Sequence, residues 1–161
     1  MDKRRILFVC AGNICRSPLG EGLLRHRAEE RKLGHLVETA SAGTGNWHHG
    51  EPPDRRSITV AKMHGVDISR QRARQLRLED FSSHDLIFAM DRDNLRNIVR
   101  VAPHDSTADI HLFTDFVGGP ARDVPDPYYG DETDFRLVHD MLDGGCRNLL
   151  DILFGKVKAS G

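Results

Sequence analysis

Arg5-Ile6-Leu7-Phe8-Val9-Cys10-Ala11-Gly12-Asn13-Ile14-Cys15-Arg16-Ser17-Pro18 is the stretch from which the rest of the chain is read. Arg5 to Cys10 is a short apolar run ending in a glycine-containing loop, the pattern of a strand buried on both faces of a parallel sheet. Ser17 and Pro18 then mark a helix start. Ser is a good N-cap, and Pro at the first helical position has no amide hydrogen to waste. Between strand and helix, Cys10 and Arg16 bracket a five-residue loop. A nucleophilic sulfur facing a fixed cation suits the holding of a phosphate-like dianion against a thiolate.

Outward from this stretch the chain alternates between the two periods. Leu19, Leu23, Leu24 and Ala28 give the first helix an apolar face, with Gly34 as its stop signal. Leu36 to Ala42 reads as a second strand closed by Gly43, and Gly45 to Pro53 as a polar loop carrying the only tryptophan, Trp47. Asp54 caps a helix that runs to His64 and ends at Gly65. Leu78 to Phe81 reads as a short helical turn and Asp85 to Met90 as the third strand. Asp91 starts a helix to about Val99, and Asp109 to Phe113 reads as the fourth strand. Gly118 to Asp131 is a long loop rich in Pro and Gly. The last helix carries Phe135, Val138, Leu142, Cys146, Leu149 and Leu153 on one stripe. Gly144 and Gly145 inside it each cost about 1 kcal/mol against Ala, which predicts a weak middle turn.

No repeat or linker interrupts this alternation. The pattern predicts an α/β fold, a single-domain three-layer sandwich over residues 1–161. Its four-stranded parallel sheet is doubly wound, Rossmann-like and flanked by helices. Ligands of such sheets bind beyond the carboxyl ends of the strands, where Cys10 stands.

Composition narrows the partners. The chain has 161 residues, 39% hydrophobic and 29% charged, with a net charge of -1. That balance gives no bulk electrostatic case for nucleic acid or a membrane surface. No apolar run approaches the ~20 residues of a membrane span. Three cysteines, no C-x-x-C and no signal-like leader point to a reducing, cytoplasmic location rather than a disulfide framework. The nine histidines form no H-x-x-x-H or H-E-x-x-H pattern, which argues against a zinc site.

The loop has a chemistry of its own. Successive backbone amides of residues 11–15 (Ala11, Gly12, Asn13, Ile14, Cys15) can form an anion nest, and the following helix adds unsatisfied amides and its positive dipole end. Gly12 permits the tight curve, and Asn13 tolerates positive φ. The planar fork of Arg16 matches two phosphate oxygens. A free thiol is mostly protonated at neutral pH, but amides, dipole and Arg16 all favour the Cys10 thiolate. Ser17 is able to donate to that sulfur, in competition with its capping role. Thiolate attack at phosphorus expels an alkoxide or phenoxide, which calls for a general acid. Asp126, held between Pro125 and Pro127 and followed by Tyr128 and Tyr129, is the best candidate. Once ionised, the same carboxylate serves as base for water.

C-x-G-N-x-C-R-S-P after an N-terminal strand, followed about 110 residues on by Asp126-Pro127-Tyr128-Tyr129, resembles the low-molecular-weight protein tyrosine phosphatases. Ser41-Ala42-Gly43-Thr44, His64-Gly65, Ala73-Arg74-Gln75-Leu76 and Met90-Asp91-Arg92-Asp93-Asn94-Leu95 resemble further family segments in the family's order. The resemblance implies Cys10 as nucleophile, Arg16 as phosphate and transition-state ligand, and Asp126 as general acid. It implies that Asn13 and Ser17 hold loop and thiolate, with Ser41 as partner of Asn13. Trp47 and Tyr128, supported by Tyr129, would flank the substrate ring, and Cys15 would form a reversible disulfide with Cys10. It implies a phosphotyrosine-containing protein as substrate, inorganic phosphate as product, no metal or organic cofactor, and a monomer with weak self-association. One departure is Gln71, where many members carry a histidine that helps the Asn13 network.

Three other readings compete. Arsenate reduction on this fold needs a relay of further cysteines, and Ser82 to Ala89 holds none, while Cys146 lies on an apolar stripe. Phosphoarginine phosphatases tend to have a small polar residue where this chain has Ile14, and a branched apolar side chain suits a phenyl ring better than a guanidinium. A catalytically silent phosphopeptide-binding module would not need Asp126 together with Cys10.

Overall fold

Ile6 to Val9 carries no side chain that water could solvate, and all four residues have no exposed surface. That run forms the middle of β1 (Arg4–Cys10), which lies inside a four-stranded sheet of order β2-β1-β3-β4. The computed structural model describes residues 2–118 and 122–156. Its further elements are α1 (Arg16–Glu30), β2 (Val37–Gly43), α2 (Arg55–Met63), α3 (Asp80–Ser83), β3 (Leu86–Ala89), α4 (Arg92–Val101), β4 (Asp109–Leu112), α5 (Phe113–Phe116) and α6 (Glu132–Phe154). Every pairing is parallel, with Phe8 opposite Ser41 on one side and Phe88 on the other. Residues 119–121 of the long loop lie outside the described residues.

The period-two alternation of β1 divides the core in two. Ile6, Phe8 and Cys10 pack with Leu19 and Leu23 of α1 and with Val138, Leu142 and Leu149 of α6. Leu7 and Val9 face the other way, onto Phe81, Ile87 and Ile98. The expected three-layer sandwich is thus the observed one. Caps set the helix starts. The Asp54 side chain accepts from the Arg56 amide, Asp91 from the Asn94 amide, and Asp131 and Asp134 form a reciprocal capping box on α6.

One expectation needs correction. Phe113 does not end the fourth strand. It opens α5, because its ring turns inward against Phe8 and Phe88, with centroids 5.6 and 5.4 Å away. The last helix runs through the glycine pair and is continuous from Glu132 to Phe154. The two glycines are not equivalent. A Cβ at Gly145 would stand 2.4 Å from the Phe113 ring, whereas one at Gly144 would meet nothing within 4 Å. Gly145 is therefore where α6 gives way to an aromatic side chain, and Gly144 is an ordinary exposed helical site.

Gly145→Ala is expected to destabilise the fold by about 1–3 kcal/mol through overpacking. Gly144→Ala is expected to stabilise it by about 0.5–1 kcal/mol. Urea denaturation of the two variants checks both signs; equal effects would remove the packing explanation.

Candidate active site

The site forms where the carboxyl ends of β1, β2 and β3 meet the start of α1. Four carbonyls of the loop after β1 are engaged outward. Cys10 O accepts from Thr44 N (2.9 Å), Ala11 O from Gly45 N (3.0 Å), Ile14 O from Asp54 N (2.7 Å) and Cys15 O from Ser57 Oγ (3.3 Å). In a trans peptide the next N–H points opposite to the carbonyl, and the described chain has no cis bond. The amides of residues 11, 12, 15 and 16 therefore face the inside of the loop. The amino end of α1 lies behind them, so the loop is an anion-binding concavity.

Asn13 fixes its curvature. It adopts φ 58°, and its side chain is 2% exposed. Its Nδ2 donates to Ser17 Oγ at 2.8 Å, while its Oδ1 accepts from the Arg74 amide at 2.9 Å. Arg74 is held in turn by two 2.9 Å bonds to Asp80. Burial alone would push the Asp80 carboxyl up, but Arg74 and the Arg77 amide hold it below the usual carboxylate range. Ser17 is not the N-cap of α1. The helix begins at Arg16, with Cys15 in the cap position and no side-chain cap. The Ser17 hydroxyl instead lies 3.0 Å from Cys10 Sγ, so of its two expected roles the contact with sulfur prevails.

Arg16 is almost wholly buried. One Nη donates to Asp91 (2.6 Å) and to the Val124 carbonyl (3.0 Å); the other lies 3.8 Å from Asp126 Oδ2. Burial pushes its pKa down, but the Cys10 sulfur and Asp91 outweigh that and raise it. Its Nε is buried with no partner among the described residues, a donor available to an anion in the loop. Asp126 is half-exposed, and its Oδ1 accepts from the Tyr128 amide at 3.1 Å, which fixes a turn.

These groups line a cleft of about 290 Å³ that joins the 10–16 loop to Trp47, Asp126, Tyr128 and Tyr129. Trp47 is 70% exposed and Tyr129 95%, with the two tyrosine rings edge to face at 4.9 Å. Cys10 forms its floor and is 2% exposed. Cys15 also reaches the cleft, but it packs with Ile14, Ala73 and Phe135, and burial pushes its thiol well up. No disulfide joins any two of the three cysteines in this structure.

One supporting assignment is corrected. Ser41 makes no hydrogen bond to Asn13; its hydroxyl donates to Glu21 at 2.6 Å. Gln71, the departure from the family pattern, makes no hydrogen bond to Asn13. Its amide donates to the Pro18 carbonyl at 2.9 Å and so ties its loop to α1. The backbone of Arg74 fills the role expected of Ser41. Sequence reading also missed His48, which lines the cleft, and Arg56. The Arg56 guanidinium donates to the carbonyls of Tyr128 (2.9 Å) and Gly130 (3.1 Å), pairs with Asp54 (3.1 Å), and lies 4.4 Å from the Phe135 ring centroid. It pins the segment that follows Asp126. Only a fold that brings α2 beside residue 128 gives it that part.

Among the described residues, His64, His139 and Asp140 bring donor atoms within 4.8 Å of one another. The two imidazoles are stacked, 3.9 Å apart and 21° from parallel, so their in-plane lone pairs do not converge on one ion. None of the three lines the cleft. No described helix is long and apolar enough to cross a membrane.

Asp91→Ala strands the buried Arg16 charge and removes the α4 cap. It is expected to cost about 3–5 kcal/mol in urea denaturation, with Asp91→Asn costing less because the cap survives. Arg56→Ala is expected to cost only about 1 kcal/mol while speeding amide exchange at residues 128–130. Unchanged exchange there would remove its clamping role.

The low molecular weight phosphotyrosine protein phosphatase family model matches residues 5–159. A low molecular weight protein-tyrosine-phosphatase of Streptomyces coelicolor is 43% identical over 150 residues, 91% of each chain. The crystal structure of a protein tyrosine phosphatase from Entamoeba histolytica superposes with a TM-score of 0.88 at 36% identity, covering 96% of this chain and all of that one. A Drosophila arginine phosphatase superposes at 0.87 with 30% identity, covering 97% and 99%. With its loop, fold and length matched together, the chain belongs to the low molecular weight protein-tyrosine-phosphatases, a family of hydrolases.

Proposed function

We propose that this protein hydrolyses phosphotyrosine in proteins through a phosphocysteine intermediate, with Cys10 as nucleophile, Arg16 as phosphate ligand and Asp126 as general acid and base. The observation that carries the reading is that one aromatic-walled cleft joins the Cys10 sulfur, the Arg16 guanidinium and the Asp126 carboxyl. The inward amides of the loop and the unpaired Nε of Arg16 supply donors for the phosphate oxygens. Cys10 Sγ attacks phosphorus, the bond from phosphorus to the phenolic oxygen breaks, and protonated Asp126 gives its proton to that oxygen. The ionised Asp126 then takes a proton from water as the water oxygen attacks phosphorus. The S–P bond breaks and inorganic phosphate leaves. Asn13 and Ser17 hold the loop and the sulfur. Trp47, Tyr128 and Tyr129 wall the phenyl ring. Ala11, Gly12, Ile14 and Cys15 complete the cradle, and no metal or organic cofactor enters the sequence of steps.

The similarity to an arginine phosphatase raises a second substrate class, phosphoarginine. Ile14 speaks for the phenyl ring, because its buried branched side chain packs with Phe135 and offers a guanidinium no acceptor. Arsenate reduction lacks a relay here. Cys146 is buried in α6, burial pushes its thiol well up, and it does not line the cleft.

Cys10→Ser is expected to abolish turnover of aryl phosphates. Asp126→Ala is expected to lower kcat on phenyl phosphate about 10²–10⁴-fold, and far less on p-nitrophenyl phosphate, whose leaving group needs no proton. Equal loss on both would remove the general-acid role. On peptides, kcat/KM is expected to fall steeply from phosphotyrosine to phosphoarginine and phosphoserine; a higher value for phosphoarginine would replace the substrate assignment.

A further inference from the structure

Trp47 lines two hollows. It borders the cleft described above and also a second groove of about 350 Å³ between the loop after β2 and the end of α4. We infer that this second groove binds the polypeptide flanking the phosphotyrosine, and that it selects an acidic residue there. The inference rests on the phosphotyrosine reading and names the part of a protein substrate that the first cleft leaves unaccounted for.

The floor of the groove is apolar, with Leu76 and Phe81 below and the exposed side chains of Leu78 and Val101 on its rim. Its charged members are Arg77 and Arg100, both exposed, and no acidic residue lines it. Arg74 nearby is neutralised by Asp80, but neither Arg77 nor Arg100 has a carboxylate within salt-bridge distance among the described residues. An adjoining hollow shares Arg77 and again contains no carboxylate. In a chain of net charge -1, this is a local cationic face beside a site for a dianion. The indole packs against bare backbone: a Cβ at Gly45 would stand 2.3 Å from it, and that backbone is bonded through the Gly45 amide to Ala11 of the cradle.

An extended peptide advances about 3.3 Å per residue. With phosphotyrosine in the first cleft, a residue one to three positions away reaches past the indole into the groove. There its backbone and apolar atoms find Leu78 and Val101, and a carboxylate finds the two guanidinium groups. A basic flank would meet like charge.

The test compares kcat/KM on equal-length phosphotyrosyl peptides carrying Asp/Glu, Ala/Ser or Lys at those positions, on either side. The wild-type enzyme is set beside Arg77→Ala/Arg100→Ala, the doubly conservative Arg77→Lys/Arg100→Lys, and Lys62→Ala, which removes a charge from α2 in the other layer. The readout is the ratio of acidic to neutral peptide within each enzyme, so changes in folding or in the chemical step cancel. A ratio of about five-fold or more is expected for the wild type, shrinking with added salt. It is expected to fall to near one in the double Ala variant, and to survive in the Lys/Lys and Lys62→Ala enzymes. Turnover of every peptide without an acidic preference overturns the groove assignment and leaves the phosphotyrosine reading intact. Absence of turnover on any phosphotyrosyl peptide overturns that reading and the groove with it. An unchanged ratio in the double Ala variant, with weakened self-association in sedimentation, would instead make the groove a contact between copies and overturn the assignment.

Discussion

A guanidinium buried to 2% exposure is costly unless partners surround its charge, and those of Arg16 come from two distant parts of the chain. Asp91 comes from the end of β3 and the start of α4. The Val124 carbonyl comes from the long loop before α6, and Asp126 stands two residues further on. Arg16 itself opens α1. One cation thus links the 10–16 loop, the central sheet and the segment that carries Asp126. Of these partners Asp91 makes the shortest contact, so its loss would leave the buried charge least compensated.

The sulfur-bearing loop is constrained from both flanks as well. Its first two carbonyls are held by the backbone after β2, and its last two by the start of α2. Peptide planarity converts those outward bonds into inward amides, so the concavity is a consequence of what lies outside it. Asn13 closes the arrangement through the Arg74 backbone, and Asp80 holds Arg74 in place. The aromatic rim is looser. Trp47 and Tyr129 are mostly exposed, and Arg56 steadies the tyrosine segment by its main chain rather than its rings. A rigid floor under an open rim fits a site that takes one fixed chemical group from variable polypeptides.

Several features were legible before any coordinates. The uninterrupted apolar run of β1, the aspartates at 54 and 91 and the helical stripe from Phe135 each carry a local physical signal, and each element appears where that signal puts it. Where the reading failed, local rules met a competing tertiary demand. Ser17 has the chemistry of a cap but is turned to Cys10. Gly144 and Gly145 look alike in sequence, and only the ring of Phe113 tells them apart. Ser41 points to Glu21 although its neighbours match the family's pattern.

The order of apolar runs, caps and turn residues, together with the nine residues from Cys10 to Pro18, was enough to determine a parallel α/β sandwich with a thiol and a cation at its carboxyl edge. Those signals act over a few residues, and a linear reading captures them. Tertiary structure alone decided which groups surround Arg16, which way the loop amides face, and that Arg56, His48 and the groove behind Trp47 belong beside the same site. Such partners are dozens of residues apart in the chain, and their meeting depends on how the layers pack.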